Sequence, residues 1–272
     1  MPIPEDLIKA YDNYYTHAEE EKNHGMLGRR LARLPANLLN AVIIRLLGIR
    51  KKRKAMRYLG LKELPPGRML EIGCGRGERL SFFRNMGWEV TGQDIDDKAV
   101  AHAKAARGVD VLCGELISLG LESAQFNVIV MSHVLEHVPD VQRMLSECFR
   151  LLQFGGRLII ATPNADSFGH KKFGRNWRGL EPPRHLHIFS KKNLQAVLHQ
   201  IGFSQVSVQA NAANARSVFE ASYRLREGTF LQKEKYPKTA IYYNSLLLQY
   251  KEWLLSGKSS LVGEELFAQA YK

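Results

Sequence analysis

A glycine-rich turn carries the clearest chemical signal in the sequence. It reads E-I-G-C-G-R-G over Glu71–Gly77, between the apolar run Met69–Ile72 and a helical pattern. Glycines at such a turn let the backbone approach a ligand closely, and the helix that follows offers free N–H groups to it. A dinucleotide site has the spacing G-x-G-x-x-G. Counted from Gly73, the third glycine of that motif would fall on position 78, which is Glu78. The spacing therefore argues against a dinucleotide oxidoreductase and favours a different nucleoside cofactor.

An acidic residue ends the next apolar run and complements the glycine turn. Asp94 lies near the end of the predicted strand Glu89–Ile95. A carboxylate at that strand end can accept hydrogen bonds from both hydroxyls of a ribose. Asp96 and Asp97 follow, and Asp is favoured as a helix N-cap. We therefore expect Asp94 to bind a ribose and Asp96 or Asp97 to cap the following helix.

Histidines follow the fourth predicted strand. His133 and His137 are four residues apart, so on a helix they would share one face. With Glu136 between them, the spacing H-x-x-E-H is similar to a zinc-binding arrangement. The sequence offers no evident third ligand, so we expect no metal. His137 is either a general base or a hydrogen-bonded structural residue, and both readings stay open.

A polar, basic and aromatic segment follows the fifth predicted strand. Ligands of open α/β sheets bind at this carboxyl edge, so we interpret residues 164–190 as a lid over an acceptor. His185 is a second candidate base, and Arg184 could hold an anionic group. We expect Trp177, Arg184 and His187 to contact the acceptor. The alternative is that the prolines and histidines of this segment only fold it onto the sheet.

Alternating strands and helices must position these groups. Apolar and alternating runs predict strands at 69–72, 89–95, 109–113, 126–131, 157–161 and 203–209, with helices between them. This order predicts an α/β, Rossmann-like fold, with a mostly parallel central sheet flanked by helices. We expect three regions, namely a helical N-terminal segment (1–66), the Rossmann-like domain (67–210) and a helical C-terminal extension (211–272). No final antiparallel strand pair is recognisable after Gln209.

Several segments, in the right order, resemble class I S-adenosylmethionine (SAM)-dependent methyltransferases. The resemblance covers about residues 68–205. It rests on Glu71–Gly77, Gly92–Ile95, Gly114–Leu116, Met131–Asp140, Leu151–Gly156, Ala161–Asn164 and Pro183–Ser190. The segment M-S-H-V-L-E-H-V-P-D resembles the 3-demethylubiquinone methyltransferase-like subgroup in particular. One departure is Asn127, because family members commonly have an Asp at this usually structural position.

This resemblance implies SAM as the cofactor and S-adenosylhomocysteine as the product. It also implies which residues contact the cofactor, and these are Glu71, Gly73, Cys74, Gly75, Gly77, Asp94, Ile95, Gly114, Glu115, Leu116, Ser132 and His133. The candidate catalytic residues are His137 and His185. The expected function is methyl transfer to a small-molecule acceptor, on oxygen, for which a base must take the hydroxyl proton.

Two other functions compete with this expectation. The formal net charge of +12 favours a polyanionic partner, as in an RNA or protein methyltransferase. The sequence has no recognisable RNA-binding module and no N/D-P-P-Y/F motif after the fourth strand, so we do not expect nucleic acid as a partner. A non-catalytic SAM-binding protein is the other alternative, because an intact glycine turn does not prove turnover.

The N-terminal third combines an apolar and a basic run. Leu38–Leu47 is apolar and Arg50–Arg57 reads R-K-K-R-K-A-M-R, so the pair either lies on an anionic membrane or packs on the domain. No run is long enough to span a bilayer, the N-terminus does not resemble a secretory signal, and the three cysteines are widely separated. We expect a cytoplasmic protein, with peripheral membrane contact as an addition. The oligomeric state stays open.

Overall fold

A single mixed sheet forms the centre of the computed structural model, which describes residues 34–228, 238–257 and 261–272. The strands of these residues are β1 Arg68–Ile72, β2 Glu89–Asp94, β3 Asp110–Cys113, β4 Phe126–Ser132, β5 Leu152–Pro163, β6 Ser204–Asn211 and β7 Glu265–Tyr271. Their order across the sheet is β3-β2-β1-β4-β5-β7-β6. Strands β1 to β5 pair in parallel, whereas β7 is antiparallel to both β5 and β6. The predicted Rossmann-like class is confirmed.

Helices cover both faces of the sheet. They are α1 Leu34–Leu46, α2 Ile49–Arg57, α3 Glu78–Arg84, α4 Asp97–Arg107, α5 Val141–Leu151, α6 Phe168–Phe173, α7 Lys191–Ile201, α8 Ala215–Arg226 and α9 Lys238–Ser256. Alternate strand residues enter different cores, because successive side chains of a strand point to opposite faces. In β4, Ile129 and Met131 join one buried cluster, and Val128 and Val130 join the other. The helices therefore bury both faces of the sheet.

The C-terminal strand β7 was not predicted, and the expectation of a wholly helical region 211–272 is wrong. Helices α8 and α9 lie in this region, but residues 265–271 form a strand between β5 and β6. The buried positions of β7 are Leu266, Ala268 and Ala270. Two of these three side chains are alanines, which have low strand propensity, so the alternation gives only a weak strand pattern. The antiparallel pair that the sequence analysis could not recognise is thus present.

The N-terminal helices pack against the C-terminal part of the chain. The Tyr250 hydroxyl donates to Oδ1 of Asn40 at 2.6 Å, and the Trp253 indole N–H donates to the Leu47 carbonyl at 2.9 Å. Arg53 of α2 donates to the carbonyl of Ala213, just after β6, at 2.7 Å. Residues 1–33 of the predicted N-terminal segment lie outside the described residues. No helix within the described residues is both long and apolar enough to cross a membrane.

Candidate functional site

The glycine turn lies at the carboxyl end of β1, between the neighbouring strands β2 and β4. Asp94, at the end of β2, accepts the Gly75 N–H on Oδ2 at 2.7 Å and the Asp96 N–H on Oδ1 at 3.0 Å. Asp96 in turn caps α4, as expected, by accepting from two backbone N–H groups. The strand order reverses at this crevice, which is where open α/β sheets bind ligands. The structure thus brings the predicted cofactor residues of β1 and β2 together.

Gly73 is required by the packing of the turn. Its φ is +66°, and a Cβ added there would lie 2.4 Å from Cγ2 of Val134, on the loop after β4. The N–H groups of Gly73 and Cys74 both donate to the Gln93 carbonyl, which holds the turn against β2. Gly77 precedes α3 with a φ of +72°. The turn is therefore fixed closely between the ends of β2 and β4.

Three features of this crevice fit SAM. Glu71 is buried, and its Oε2 has no hydrogen-bond partner among the described residues, so it can accept from a bound ammonium or N–H donor. At Gly75 an added Cβ would meet nothing within 4 Å, so space lies open beside the turn. Ile95 is 63% exposed directly after Asp94 and offers an apolar surface to an adenine ring. The donor set thus suits a nucleoside with an amino-acid tail.

Arg79 completes the Glu71 site and was missed by the sequence analysis. Its guanidinium donates to Glu71 Oε1 at 2.5 Å and to the Ser132 hydroxyl at 3.2 Å. Burial raises the pKa of Glu71 to about 7, although the neighbouring Arg79 charge acts to lower it. Arg79 lies eight positions after Glu71 in the chain. An Arg in the first turn of the helix that follows an acidic glycine motif is the signal that would have found it.

The segment after β3 contributes main-chain groups. The N–H of Gly114 donates to the Asp94 carbonyl at 3.0 Å, and its own carbonyl accepts from the Gln93 side chain. Glu115 is exposed, whereas the side chain of Leu116 is 1% exposed and belongs to the core. The side chain of Leu116 is therefore not accessible to a ligand, and any ligand contact of this residue is made by its backbone.

His133 is held as a cation between two carboxylates. Its Nδ1 lies 3.2 Å from Glu136 and its Nε2 lies 3.0 Å from Glu265 on β7. The His133 side chain is 52% exposed, and the bonds and charges of these two carboxylates outweigh its partial loss of hydration and raise its pKa to about 10. His133 pairs with carboxylates through both ring nitrogens, so it is protonated at neutral pH. It does not act as a base there.

His133 and His137 do not lie on one helix, so they do not share a helix face. His133 has a φ of +56°, and only Leu135–His137 forms a short 3-10 turn. His137 instead faces the segment after β5, where its ring lies 4.7 Å from that of His185. Each ring has its Nδ1 near a carbonyl oxygen, at 3.0 Å from Arg184 for His137 and at 2.6 Å from Gly179 for His185.

Both of these histidines are neutral at pH 7. Burial lowers the pKa of His137, and burial lowers the pKa of His185 to about 4. Glu136 lies beside them, fully buried, with its Oε2 accepting from the Thr162 hydroxyl at 3.0 Å. One ligand atom each from Glu136, His137 and His185 lies within 4.8 Å of the others. The fold thus places His185 beside Glu136 and His137 as a third potential metal ligand, which the sequence did not show. The absence of a metal stays a prediction.

Two of the three predicted acceptor contacts have other partners. Trp177 is 1% exposed, and its indole N–H donates to Glu264 at 2.6 Å, so it belongs to the core of the segment. Arg184 forms an ion pair with Glu181, which also pairs with Arg178. The expectations that Trp177 and Arg184 face an acceptor are therefore not matched by their surroundings. His187 is half-buried, with its Nε2 3.4 Å from the Pro139 carbonyl.

Comparison with known proteins identifies the domain. Residues 44–208, more than half of the chain, match the model of a family described as a methyltransferase domain. A probable SAM-dependent methyltransferase of Mycolicibacterium smegmatis is 37% identical over 119 residues, which is 43% of this chain and 46% of the relative. The ubiquinone biosynthesis O-methyltransferase of Coxiella burnetii is 34% identical over 101 residues, which is 35% of this chain and 43% of the relative. These alignments span less than half the length of either relative.

A solved structure shares the fold. A SAM-dependent methyltransferase from Archaeoglobus fulgidus matches with a TM-score of 0.54 and 20% identity, covering 81% of this chain and 92% of that chain. The crevice described above lies within the matched residues 44–208. The chain therefore belongs to the methyltransferase domain family, and S-adenosylmethionine is the cofactor of its Rossmann-like domain.

Proposed function

We propose that this chain transfers the methyl group of SAM to a hydroxyl oxygen of a small-molecule acceptor. When bound, SAM supplies a methyl group on a sulfonium that is already activated for displacement. The chain's own residues must position the acceptor, exclude water and take the hydroxyl proton. The pair of neutral histidines, His137 and His185, beside the buried Glu136 is the observation that carries the proposal.

His137 is the proposed base. With its Nδ1 donating to the Arg184 carbonyl, the proton-free lone pair of the neutral ring is on Nε2. His185 has a pKa of about 4, so its affinity for a proton is low. We therefore assign proton removal to His137 and a positioning role to His185, whose ring packs edge-on against that of His137. His133 is a cation and takes no proton.

The charges around this pair favour an uncharged acceptor. Glu136 and Glu265 are ionised, since the bonds and charge of His133 outweigh burial and lower the pKa of each. With one imidazolium between two carboxylates, this group carries a net charge of −1. Arg184 is ion-paired with Glu181. Arg178 also pairs with Glu181, so these three residues carry a net charge of +1 and the surroundings of the two histidines sum to zero. They offer no excess charge to attract an ionic acceptor, which suits a neutral hydroxyl compound.

Residues 164–190 are the proposed lid over this acceptor. Glu264, directly before β7, holds the segment by accepting the Gly169 N–H at 2.6 Å and the Trp177 indole N–H at 2.6 Å. The Coxiella burnetii relative is an O-methyltransferase of ubiquinone biosynthesis by name. This supports oxygen as the methylated atom and a place in the 3-demethylubiquinone methyltransferase-like subgroup. The domain limits 1–66, 67–210 and 211–272 remain part of this proposal, apart from β7.

The test is the release of S-adenosylhomocysteine in the presence of a panel of phenols, catechols, saccharides, amines and RNA. We expect release with a hydroxyl compound, and His137→Ala should lower kcat about 100-fold or more without changing the KM for SAM. The matched control is His199→Ala, because His199 is exposed on α7. Release with amines or RNA alone, or an unchanged kcat in His137→Ala, would overturn the proposal.

A further inference from the structure

Helix α1 is apolar on both of its sides. Its inward side packs on the protein through Ile43, Ile44 and the bond that the Asn40 side chain accepts from Tyr250. Its outward side carries a second apolar stripe, with Leu38 66%, Val42 53% and Leu46 80% exposed. A surface helix of a globular protein normally has polar residues on that side. The stripe is spaced at i, i+4 and i+8, so it forms one continuous edge of the helix.

Helix α2 places a dense positive charge next to this stripe. Gly48, with a φ of +74°, links α1 to α2. Five basic side chains of α2 are exposed and have no ion pair among the described residues, and these are Arg50, Lys51, Lys52, Lys54 and Arg57, the last of which lies over the Phe82 ring. Arg53 is different, since it donates to the Ala213 carbonyl and fixes α2 on the domain. The fold therefore holds the exposed cations next to the apolar stripe, and no acidic side chain of the described residues neutralises their charge.

We propose that α1 and α2 together are a docking surface for an anionic lipid bilayer, the stripe entering the acyl boundary and the basic residues pairing with lipid headgroups. Apolar side chains inserted beside a polybasic segment are the two signals that make peripheral membrane binding stable. Nucleic acid offers no apolar layer to the stripe. A second copy of this chain would bring two clusters of positive charge together, on a protein of net charge +12.

The proposed surface adjoins the acceptor side of the site. Ala213, which accepts the bond from Arg53, lies two residues after Asn211, the last residue of β6, and the Asn211 amide donates to Glu265 at 2.8 Å. Glu265 is the carboxylate that also holds His133. Docking through α1 and α2 would therefore bring this end of the sheet to the bilayer. Binding of the bilayer through this surface does not require methyl transfer.

The experiment is flotation of the full chain with phosphatidylcholine vesicles that contain or lack about one-third phosphatidylglycerol. One variant removes the stripe (Leu38→Gln, Val42→Gln, Leu46→Gln) and one removes charge (Lys51→Gln, Lys52→Gln, Lys54→Gln). The matched control removes three exposed lysines elsewhere (Lys98→Gln, Lys104→Gln, Lys192→Gln). Every replaced side chain is exposed, so circular dichroism and thermal unfolding should match the wild type in all variants.

We expect the wild type to bind the anionic vesicles and not the neutral ones, with binding lost at high salt. Each α1 or α2 variant should lower the partition coefficient roughly tenfold or more, while the lysine control changes it less than threefold. The proposal is overturned if the wild type does not float, if the control loses as much binding as the α2 variant, or if the stripe variant floats normally. Loss of a concentration-dependent dimer in the stripe variant, without vesicle binding by the wild type, would assign the stripe to self-association instead.

Discussion

Replacing the buried carboxyl of Glu252 should stabilise this protein at neutral pH. Glu252 of α9 is fully buried and lies against Glu264, which is also buried. Burial, and then the Glu264 charge, raise the pKa of Glu252 to about 10, so its carboxyl group stays protonated at neutral pH. In the unfolded chain the same group ionises near its ordinary value of 4.5. The folded state must therefore keep a proton that the unfolded state releases.

The magnitude follows from this difference in proton binding. At pH 7, keeping Glu252 protonated costs up to about 3 kcal/mol, since each pH unit above 4.5 contributes about 1.4 kcal/mol. The sign is that of a raised carboxyl pKa, so stability is greatest below pH 4.5 and falls as the pH rises towards 10. Glu252→Gln has no proton to lose, and its amide N–H can replace the acid proton. We expect it to raise the free energy of unfolding by about 2 kcal/mol at pH 7.

Urea denaturation at pH 5 and at pH 8 checks this prediction. The gain of Glu252→Gln should be small at pH 5 and largest at pH 8, with a rise in Tm of roughly 5 °C or more at the higher pH. Glu264→Gln is the matched comparison, and it should destabilise by about 1–3 kcal/mol because its amide nitrogen would face the Trp177 or Gly169 N–H donors. A Glu252→Gln protein that is less stable than the wild type at pH 8, or a gain that does not depend on pH, would refute the reasoning.

Three further predictions concern the site. Asp94→Ala should weaken SAM binding about 100-fold by calorimetry, because it removes a carboxylate that also holds the Gly75 N–H. The control Asp97→Ala, in the exposed first turn of α4, should bind SAM normally. Equal SAM binding by both variants would remove Asp94 from the cofactor site. Gly73→Ala should lower Tm and SAM affinity, since its Cβ would lie 2.4 Å from Val134. Adding Val134→Ala should restore part of both. No recovery in the double variant would mean that the positive φ of Gly73 alone causes the loss. The raised pKa of His133 contributes stability that is fully present below the ordinary His pKa and is lost as the pH rises to about 10. The wild type should therefore lose stability between about pH 7 and pH 10, and His133→Gln should abolish this loss. Identical pH profiles of Tm for the two proteins would contradict the pairing of His133 with Glu136 and Glu265.

The geometry of the proposed cofactor half of the site could be predicted because its parts are local. The glycine turn, Asp94 and the Asp96 cap each follow a strand whose apolar run is readable in the sequence. Parallel strands bring their carboxyl ends to one edge, so groups at successive strand ends must meet there. Gly73 and Asp94 therefore lie together as soon as β1 and β2 pair, and no long-range information is needed.

The acceptor half could not be predicted because its partners are far apart in the chain. Glu265 lies 132 positions after His133, on a strand whose buried face is mostly alanine. Trp177 and Arg184 have the residue types of ligand contacts, but whether an aromatic ring or a guanidinium is exposed depends on its partners. Glu264 and Glu181 occupy those two groups here. The residue type alone does not show whether an arginine or an indole N–H is already paired within the protein.

Strand β7 therefore contributes to the candidate site as well as to the sheet. Glu265, its first residue, lies opposite Pro163 at the end of β5 and Asn211 at the end of β6. From that register its carboxylate reaches both His133 and the Asn211 amide, so the loop after β4 is fixed from the far side of β5. Glu264 holds the proposed lid one residue earlier. Because two adjacent carboxylates act on the loop and on the proposed lid, the pairing of β7 with β5 fixes the proposed acceptor side of the crevice, while the glycine turn forms its proposed cofactor side.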